Sequence, residues 1–158
     1  MEFSFTNPDR PDVIRLLQAS DNYMADLYPN DSNHLLDLNS LCKPHVRFLV
    51  AAEAGIAMGC GALVRHDGWA ELKRMWVEPQ LRGQGIGADI LRCLMLDARV
   101  SGHSILKLET GIHQTEALRL YRSRGFREID AFDQYAPDPL SVFMACDISC
   151  DFTDPKLC

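Results

Sequence analysis

The spacing of apolar residues in the first third of the chain predicts a short strand followed by two helices. Residues 2–6 alternate weakly between apolar and polar side chains, as in a strand. In residues 9–27 the apolar side chains recur every three or four positions, which predicts a longer helix. Ser32 or Asn33 can cap a second, shorter helix that continues to Leu41.

Three apolar segments in the middle of the chain predict an antiparallel meander. They are rich in Val, Leu and Phe, and the turn signals Ala54-Gly55 and Asp67-Gly68 separate them. Asp-Gly is a strong hairpin signal because both of its residues tolerate a positive φ. The predicted strands are residues 46–53, 56–65 and 69–77.

After residue 77 the pattern changes to alternating strands and helices. A loop at residues 78–85 precedes a helix, a strand, a second helix and two further strands, at residues 86–100, 105–110, 114–124, 126–132 and 141–148. A strand, a helix and a strand in succession predict a parallel pair with a right-handed crossover. The sequence therefore predicts the α/β class, with an antiparallel meander followed by a βαβ unit in one mixed sheet. We expect a single domain at residues 1–148 and a C-terminal tail at residues 149–158.

Composition and charge argue against several classes of protein. The net charge is -6 and no cluster of Lys or Arg stands out, which argues against a nucleic-acid partner. The first residues lack a basic segment followed by an apolar run, and glycines interrupt the longest apolar stretch. We therefore expect a cytoplasmic protein without a membrane segment. The six cysteines are irregularly spaced and form no CxxC pair, so we expect reduced thiols and no metal site.

A glycine-rich segment lies between a predicted strand and the helix that follows it. Gly83, Gly85 and Gly87 alternate with other residues, and Arg82 stands before them. The first amides of a helix have no partner within the helix, and the helix dipole is positive at this end. The segment therefore predicts a phosphate-binding cradle, to which the arginine adds a positive charge. The alternative is a tight turn in which the glycines serve only the geometry.

Three kinds of phosphate ligand fit such a cradle to different degrees. The chain has no Gly-Lys-Ser/Thr after the glycines, so the segment is not a P-loop. A dinucleotide stays open, since Gly83-x-Gly85-x-x-Ala88 fits its fingerprint and Glu109 lies near the expected ribose-binding acid. Against it, residues 78–82 separate the strand from the first glycine, and too few βα units follow. The third ligand is the pyrophosphate of coenzyme A.

Three motifs in a fixed order give the chain a family resemblance. Gln80-x-x-Gly83-x-Gly85 resembles the Q/R-x-x-G-x-G/A signature of the GNAT N-acetyltransferases. The resemblance extends from about residue 71 to residue 126, through Met75-Trp76-Val77-Glu78-Pro79 and Gln114-x-x-Ala117-x-x-Leu120-Tyr121-x-x-x-Gly125-Phe126. It implies the GNAT-like acyl-CoA N-acyltransferase fold and acetyl-CoA as the co-substrate.

The resemblance also implies how acetyl-CoA binds. The pyrophosphate is expected on the backbone of the glycine loop, at Arg82, Gly83, Gln84, Gly85, Ile86, Gly87 and Ala88. Family members carry a bulge in the preceding strand, and a shift in apolar parity between Leu72 and Met75 agrees with one. Pantetheine is expected in the opening beside this strand, with the thioester near the backbone of Met75, Trp76 and Val77. Gln114 replaces the family's usual Asn, which often contacts the coenzyme arm.

Acetyl transfer needs a base, because a lysine-type amine with a pKa of roughly 10.4 is mostly protonated at neutral pH. Some family members have a catalytic glutamate at the position of Glu71, which makes it the first candidate base. Its alternative role is an edge charge paired with Lys73 or Arg74. Glu109 ends the neighbouring strand and is the second candidate base, with a loop N–H or an arginine as its alternative partner.

Tyr121 stands at the family's tyrosine position, where the resemblance implies a contact with the coenzyme A sulfur. A phenol with a pKa of about 10 is a weaker acid than a thiol of about 8.5, so it would stabilise the thiolate mainly by hydrogen bonding. The alternative is a tyrosine that packs on Ala117 and Leu118 within its own helix.

The acceptor is the least determined part of the prediction. The resemblance places its binding elements at residues 23–42, which include Tyr28, and at residues 133–140. Lys73 and Arg74 could clamp a carboxylate, as in an amino acid or another amino-carboxylate, and a solvated basic pair is the alternative. We expect an N-acetyltransferase that acts on a small primary amine by direct attack in a ternary complex. The alternatives are a protein-lysine acetyltransferase and a non-catalytic acetyl-CoA sensor, and exposed strand edges would permit a homodimer.

Overall fold

The computed structural model describes residues 1–149 as seven strands and four helices. In chain order these are β1 Glu2–Phe5, α1 Pro11–Leu27, α2 Leu38–Leu41, β2 Val46–Glu53, β3 Ile56–Arg65, β4 Trp69–Val77, α3 Ile86–Val100, β5 Ile105–Gly111, α4 Thr115–Ser123, β6 Arg127–Ile129 and β7 Ser141–Asp147. Short 3-10 turns occur at Asn30–Ser32 and Pro79–Leu81.

All seven strands form one mixed sheet in the order β1-β2-β3-β4-β5-β7-β6. Strands β1 to β4 are antiparallel neighbours, and β4 and β5 pair in parallel. This arrangement confirms the predicted meander followed by a βαβ unit. Because β7 pairs with both β5 and β6, the last strand of residues 1–149 lies inside the sheet.

The two faces of the sheet carry separate apolar clusters. Leu49 belongs to the cluster that contains α3 and α4, whereas its neighbours Phe48 and Val50 belong to the cluster that contains α1 and α2. This is the alternation that strand geometry imposes on a sheet buried on both faces. The helices therefore cover strands β2, β3 and β4 from both sides.

β4 contains a bulge centred on Arg74. Cys60 and Ala62 of β3, two positions apart, pair with Trp76 and Lys73 of β4, three positions apart. Arg74 has a φ of 55°, and its carbonyl accepts a hydrogen bond from the Cys60 thiol at 3.3 Å. Burial raises the pKa of that thiol to about 12, so it stays protonated as the donor. The predicted slip in the strand is confirmed.

β4 also separates from β5 partway along its length. The two strands pair only from Trp69 to Leu72, although β4 continues to Val77 and β5 to Gly111. Beyond Leu72 this edge of β4 has no strand beside it in the described part of the chain. The sheet therefore opens at the end of β4 that leads to the glycine loop.

The prediction of a second helix capped by Ser32 or Asn33 is wrong. Residues 30–32 form a 3-10 turn, and the four-residue α2 is capped by Asp37, whose side chain accepts from the Ser40 N–H at 2.8 Å. The Ser32 side chain instead bonds Asp138, which is distant in sequence. A long-range contact thus overrides the local capping signal.

The other predicted elements agree with the structure to within a few residues. β6 is shorter than the predicted strand at residues 126–132, because the Phe126 N–H bonds Tyr121 O at the end of α4 and its ring is buried. Residues 150–158 of the predicted tail lie outside the described residues. No helix in residues 1–149 is long and apolar enough to cross a membrane.

Gly111, at the end of β5, lies directly under the ring of Tyr28. A Cβ at this position would overlap the hydroxyl and ring carbons of Tyr28, whose hydroxyl accepts a hydrogen bond from the His113 N–H. We expect Gly111→Ala to lower the free energy of unfolding by about 1–3 kcal/mol, as overpacking does. Urea denaturation would measure the change.

The matched control is Gly87→Ala, since a Cβ there would lie 3.6 Å from Leu120, an ordinary contact. It should leave stability unchanged or raise it, because alanine favours a helix over glycine. Equal losses in both variants would show that the contact over Gly111 does not constrain the fold.

Candidate active site

A cleft of about 610 Å³ lies where β4, α3 and α4 meet. One side is the glycine loop and the other is α4. The loop residues along it are Arg82, Gly83, Gly85, Ile86, Gly87 and Ala88, and the end of β4 contributes Met75, Trp76 and Val77. Gln84 is exposed and is not among the lining residues, so it stands apart from the other predicted loop positions.

The glycine loop has the backbone conformation that its sequence requires. Gly83 and Gly85 have φ values of 76° and 85°, in the region that favours glycine. Gly85 is the N-cap of α3, and no side chain caps that helix end. The first amides of α3 therefore begin at the cleft wall, as the phosphate-cradle prediction expects.

Two arginines face the cleft. The Nε–H of Arg82 donates to Val77 O at 3.1 Å, and its guanidinium lies over the rings of Trp76 and Tyr23. Arg119 of α4 lines the opposite wall. Arg119 was not predicted, because it occupies a variable position of the α4 motif. Tyr23 falls within the predicted acceptor element at residues 23–42, but it lines the larger cleft instead.

A second, smaller cavity of about 70 Å³ continues from the cleft into the protein. Four residues line both spaces and so form their junction: Met75, Trp76, Gln114 and Tyr121. The walls come from the end of α1, the segment between α1 and α2, the bulged part of β4, and the end of β5. The opening between β4 and β5 thus connects two binding spaces.

Tyr121 lies at this junction and is almost fully buried. Burial, with a smaller contribution from the charge of Glu109, raises the pKa of its phenol well above the usual value. The phenol is therefore a stable hydrogen-bond donor at neutral pH. The prediction that Tyr121 faces the coenzyme is compatible with its position.

Glu109 lines the small cavity as well. Its Oε1 accepts a hydrogen bond from the Ser141 hydroxyl at 2.8 Å. Burial raises the pKa of Glu109, which outweighs the opposing effects of that hydrogen bond and of His34 and Lys73. A carboxylate with a raised pKa is a stronger base than an ordinary glutamate.

Glu71 is buried but is not among the residues that line the small cavity. The Tyr135 hydroxyl donates to its Oε1 at 2.5 Å, and the Lys73 Nζ lies 3.4 Å from the same oxygen. The alternative role predicted for Glu71, a charge paired with Lys73, is thus present in the structure. Tyr135 lies in the loop between β6 and β7, within the predicted acceptor element at residues 133–140, but it belongs to no motif and its contact with Glu71 was not predicted.

The other predicted acceptor residues line the small cavity but already have partners. Arg74 donates to Asp21 and to Leu17 O of α1. The Tyr28 hydroxyl is bonded to the His113 N–H. The carboxylate clamp of Lys73 and Arg74 stays a prediction, and both cations are bound by protein carboxylates here.

Three buried polar atoms on cavity residues have no hydrogen-bond partner in the part of the chain that the structure describes. They are Asn33 Oδ1, Arg74 Nε and Trp76 Nε1. Such atoms are costly to leave unpaired, so each offers a contact to a ligand. No group of three or more His, Cys, Asp or Glu in residues 1–149 is arranged to hold a metal ion.

Comparison with known proteins identifies the class of protein that has this fold and these two connected spaces, the acyltransferases, and also the family. The family described as Acetyltransferase (GNAT) domain matches residues 44–128. The chain is 46% identical over 140 residues to an IAA acetyltransferase of Azospirillum brasilense, across 87% of this chain and 92% of the relative. The protein belongs to the GNAT N-acetyltransferase family.

Two solved structures resemble this one. A protein of Klebsiella pneumoniae assigned to the acyl-CoA N-acyltransferases superposes with a TM-score of 0.82 and 37% identity, over 93% of this chain and 97% of the other. A GNAT acetyltransferase of Elizabethkingia anophelis with acetyl-CoA bound has a TM-score of 0.67 at 22% identity, over 92% and 97%. Because the identity is only 22%, the second comparison supports a similarity of fold and nothing further.

The raised pKa of Glu109 makes the stability of the protein depend on pH. The unfolded pKa is roughly 4.3, and the folded pKa is higher because the carboxyl is buried. Wild type therefore loses stability as the pH rises through this interval. We expect Glu109→Gln to match wild type at the acidic end and to melt at a higher temperature above the interval.

Thermal denaturation across the pH range would measure this difference. The control is Asp37→Asn, because the Ser40 N–H lowers the pKa of Asp37 and its loss should act with the opposite sign. A melting-temperature difference for Glu109→Gln that does not vary with pH would contradict the expected pKa.

Proposed function

We propose that the protein transfers an acetyl group from acetyl-CoA to the primary amine of a small molecule, with Glu109 as general base and Tyr121 as the acid. One observation carries the proposal: both side chains line the same small cavity, and Tyr121 also lines the larger cleft. An amine in the cavity and a thioester in the cleft would meet at Tyr121. The mechanism is direct attack in a ternary complex.

The larger cleft has the features that acetyl-CoA needs. The first amides of α3 and the glycine loop offer donors to the pyrophosphate, and Arg82 and Arg119 offer positive charge. Pantetheine fits the unpaired edge of β4 after Leu72, where its amides can bond strand backbone. Gln114, at the start of α4, borders both spaces and is placed to contact the coenzyme arm. The similarly folded protein of Elizabethkingia anophelis contains acetyl-CoA.

The chemistry assigns proton removal from the neutral attacking amine to Glu109, and hydrogen-bond donation without proton transfer to Tyr121. The amine nitrogen attacks the thioester carbon, the carbon–nitrogen bond forms, and the carbon–sulfur bond breaks. Glu109 takes the proton that the nitrogen releases, and its raised pKa favours this transfer. The Tyr121 hydroxyl donates a hydrogen bond to the departing thiolate, because its phenol holds its proton more strongly than a thiol does. Backbone amides near the bulge would stabilise the oxyanion.

Glu71, the first candidate base from the sequence, becomes the second candidate in this proposal, reached through a water molecule. Glu71 is already paired with Tyr135 and Lys73, which makes it a weaker candidate for the general base than Glu109.

The small cavity supports a compact acceptor that carries oxygen. At about 70 Å³ it admits an amine and a few attached atoms. Arg74 Nε–H and Trp76 Nε1–H are unpaired donors, and both could bond a carboxylate or another oxygen group of the acceptor. This arrangement favours an amino acid or another amino-carboxylate. A protein-lysine acceptor is the alternative, since a lysine side chain is also narrow.

Removal of either catalytic side chain should abolish most of the activity. We expect Glu109→Gln and Tyr121→Phe each to lower kcat/KM by about 10²-fold or more, the usual contribution of acid–base catalysis. A thiol-release assay with acetyl-CoA and a panel of amino acids, diamines and peptides would measure it. Glu128→Gln, an exposed glutamate paired with Arg122, is the control and should react as wild type.

The outcomes separate the candidate functions. Turnover with peptides but not with small amines would favour the protein-lysine acetyltransferase. Acetyl-CoA binding without turnover of any amine would favour the non-catalytic sensor. Full activity in Glu109→Gln would rule out its role as the base.

The glycine loop should be sensitive to any side chain at Gly85. We expect Gly85→Ala to weaken acetyl-CoA binding about tenfold, because alanine in a left-handed conformation costs roughly 1–2 kcal/mol and the loop would shift to relieve it. Isothermal titration calorimetry would measure Kd. Gly68→Ala is a matched control, since Gly68 has a φ of 78° and open space around it but lies in the β3–β4 turn. A similar loss of affinity in both variants would contradict a specific role of the loop.

A further inference from the structure

Lys73 pairs with one carboxylate, that of Glu71, and acts electrostatically on a second, that of Glu109. The last residue pair between β4 and β5 is Leu72 with Leu108, and Lys73 and Glu109 each follow one of these leucines. Because side chains alternate along strands, Lys73 and Glu109 project from the same face, as does Glu71 two residues earlier. Lys73 and Glu109 also line the same small cavity. The Lys73 ammonium group could therefore pair with the carboxylate of either Glu71 or Glu109.

In the structure the ammonium group is bound on the Glu71 side. Its Nζ donates to the Tyr135 hydroxyl at 2.5 Å and lies 3.4 Å from Glu71 Oε1. The Tyr135 hydroxyl in turn donates to that same Oε1. Only 12% of the Lys73 side chain and 7% of the Glu71 side chain are exposed, so solvent screens the pair weakly. The three groups form a closed network.

Tyr135 is itself fixed by aromatic contacts. Its ring lies edge-on to His34 at 5.4 Å between centroids and also contacts Phe132 and Phe143. His34 comes from the segment between α1 and α2, and a bond between Ser32 and Asp138 joins the same two segments. The hydroxyl that binds Lys73 is thus held by elements on two sides of the cavity.

We propose that Glu71 and Tyr135 are positioning residues that hold the Lys73 ammonium away from Glu109 and so keep Glu109 available as a base. The proposal rests on the function of Glu109 proposed above. The proposal explains why Glu71, which is buried but does not line the cavity, lies next to Lys73, which does line the cavity.

The physical reason is the strength of charge pairing in a buried site. An opposite charge within about 4–6 Å lowers a carboxylate pKa by roughly 1–3 units, which would make Glu109 a poor base. The groups that face Glu109 are Ser141 of β7, His34, Lys73 and Glu71 of β4, Tyr28 and Tyr121, with Tyr135 behind Lys73. Of these, Lys73 is the cation that a side-chain rotation could bring into contact. The Glu71–Tyr135 pair opposes that rotation.

A double-mutant cycle on the free protein tests the proposal without requiring turnover. The pKa of Glu109 would be measured by NMR titration of carboxyl-labelled glutamate in wild type, Glu71→Gln, Lys73→Met and the double variant. Loss of Glu71 removes a negative charge in both backgrounds and also releases Lys73 where it is present. We expect Glu71→Gln to lower the pKa of Glu109 by about one unit or more in the wild-type background and by much less in the Lys73→Met background.

Tyr135→Phe is a second variant that keeps the charge of Glu71. We expect a smaller decrease in the pKa of Glu109 that disappears when Lys73 is methionine. Lys107→Met is the matched control, since Lys107 is on the same face but lies over Trp69 and Phe132. It should not change the effect of Glu71→Gln. Equal decreases with and without Lys73 would overturn the proposal, and so would no decrease in Tyr135→Phe.

The activity of the same variants separates this proposal from failure of the proposed function. We expect Glu71→Gln to shift the acidic limb of the kcat/KM profile downward in pH and to reduce kcat, and Lys73→Met to restore kcat. A loss of about 10²-fold in Glu71→Gln that Lys73→Met does not restore would make Glu71 the base and overturn its positioning role. A positive cycle in a protein whose turnover does not depend on Glu109 would support the Lys73 arrangement and reject Glu109 as the base.

Discussion

The extra residue at Arg74 determines where the sheet opens and which side chains face the opening. A bulge adds twist and bends its strand, and here β4 leaves β5 directly before it. The same extra residue brings the consecutive side chains of Lys73 and Arg74 into contact with elements on one face, although neighbours in a regular strand point to opposite faces. The cleft, the small cavity and their junction at Tyr121 all lie at this point.

Charge pairing in a weakly solvated site is the second constraint. Arg74 is bound to Asp21, and Lys73 is bound to Glu71, so each cation near the cavity has a protein carboxylate beside it. Buried pairs add little net stability, because desolvation offsets much of the attraction. Their effect is on position: each pair fixes a long side chain that would otherwise move. Within residues 1–149 the side-chain hydrogen-bond donor to Glu109 is a neutral hydroxyl, that of Ser141, and burial can then dominate the pKa of Glu109.

The sequence predicted the order of the main elements because each has a strong local cause. Asp67-Gly68 makes a hairpin, Gly85 ends the loop before α3, and apolar alternation marks the strands. The slip between Leu72 and Met75 even located the bulge. What sequence could not predict depends on contacts between distant segments. Ser32 reaches Asp138 instead of capping a helix, Arg74 reaches Asp21, and Tyr135 reaches Glu71 across 64 positions. Such long-range contacts decide that Glu71 is paired with other side chains whereas Glu109 lines the cavity.

The position of β7 has a consequence for how the protein is made. β7 lies between β5 and β6, so β6 has no partner in the sheet until β7 arrives. Ser141, the hydrogen-bond donor to Glu109, is also on β7. During synthesis the meander and the βαβ unit can pair while the chain is still growing, because their strands are consecutive. The acceptor side of the site is completed only when β7 has left the ribosome and inserted, so a nascent chain would have its coenzyme half, and Glu109 itself, before the Ser141 donor to Glu109 is in place.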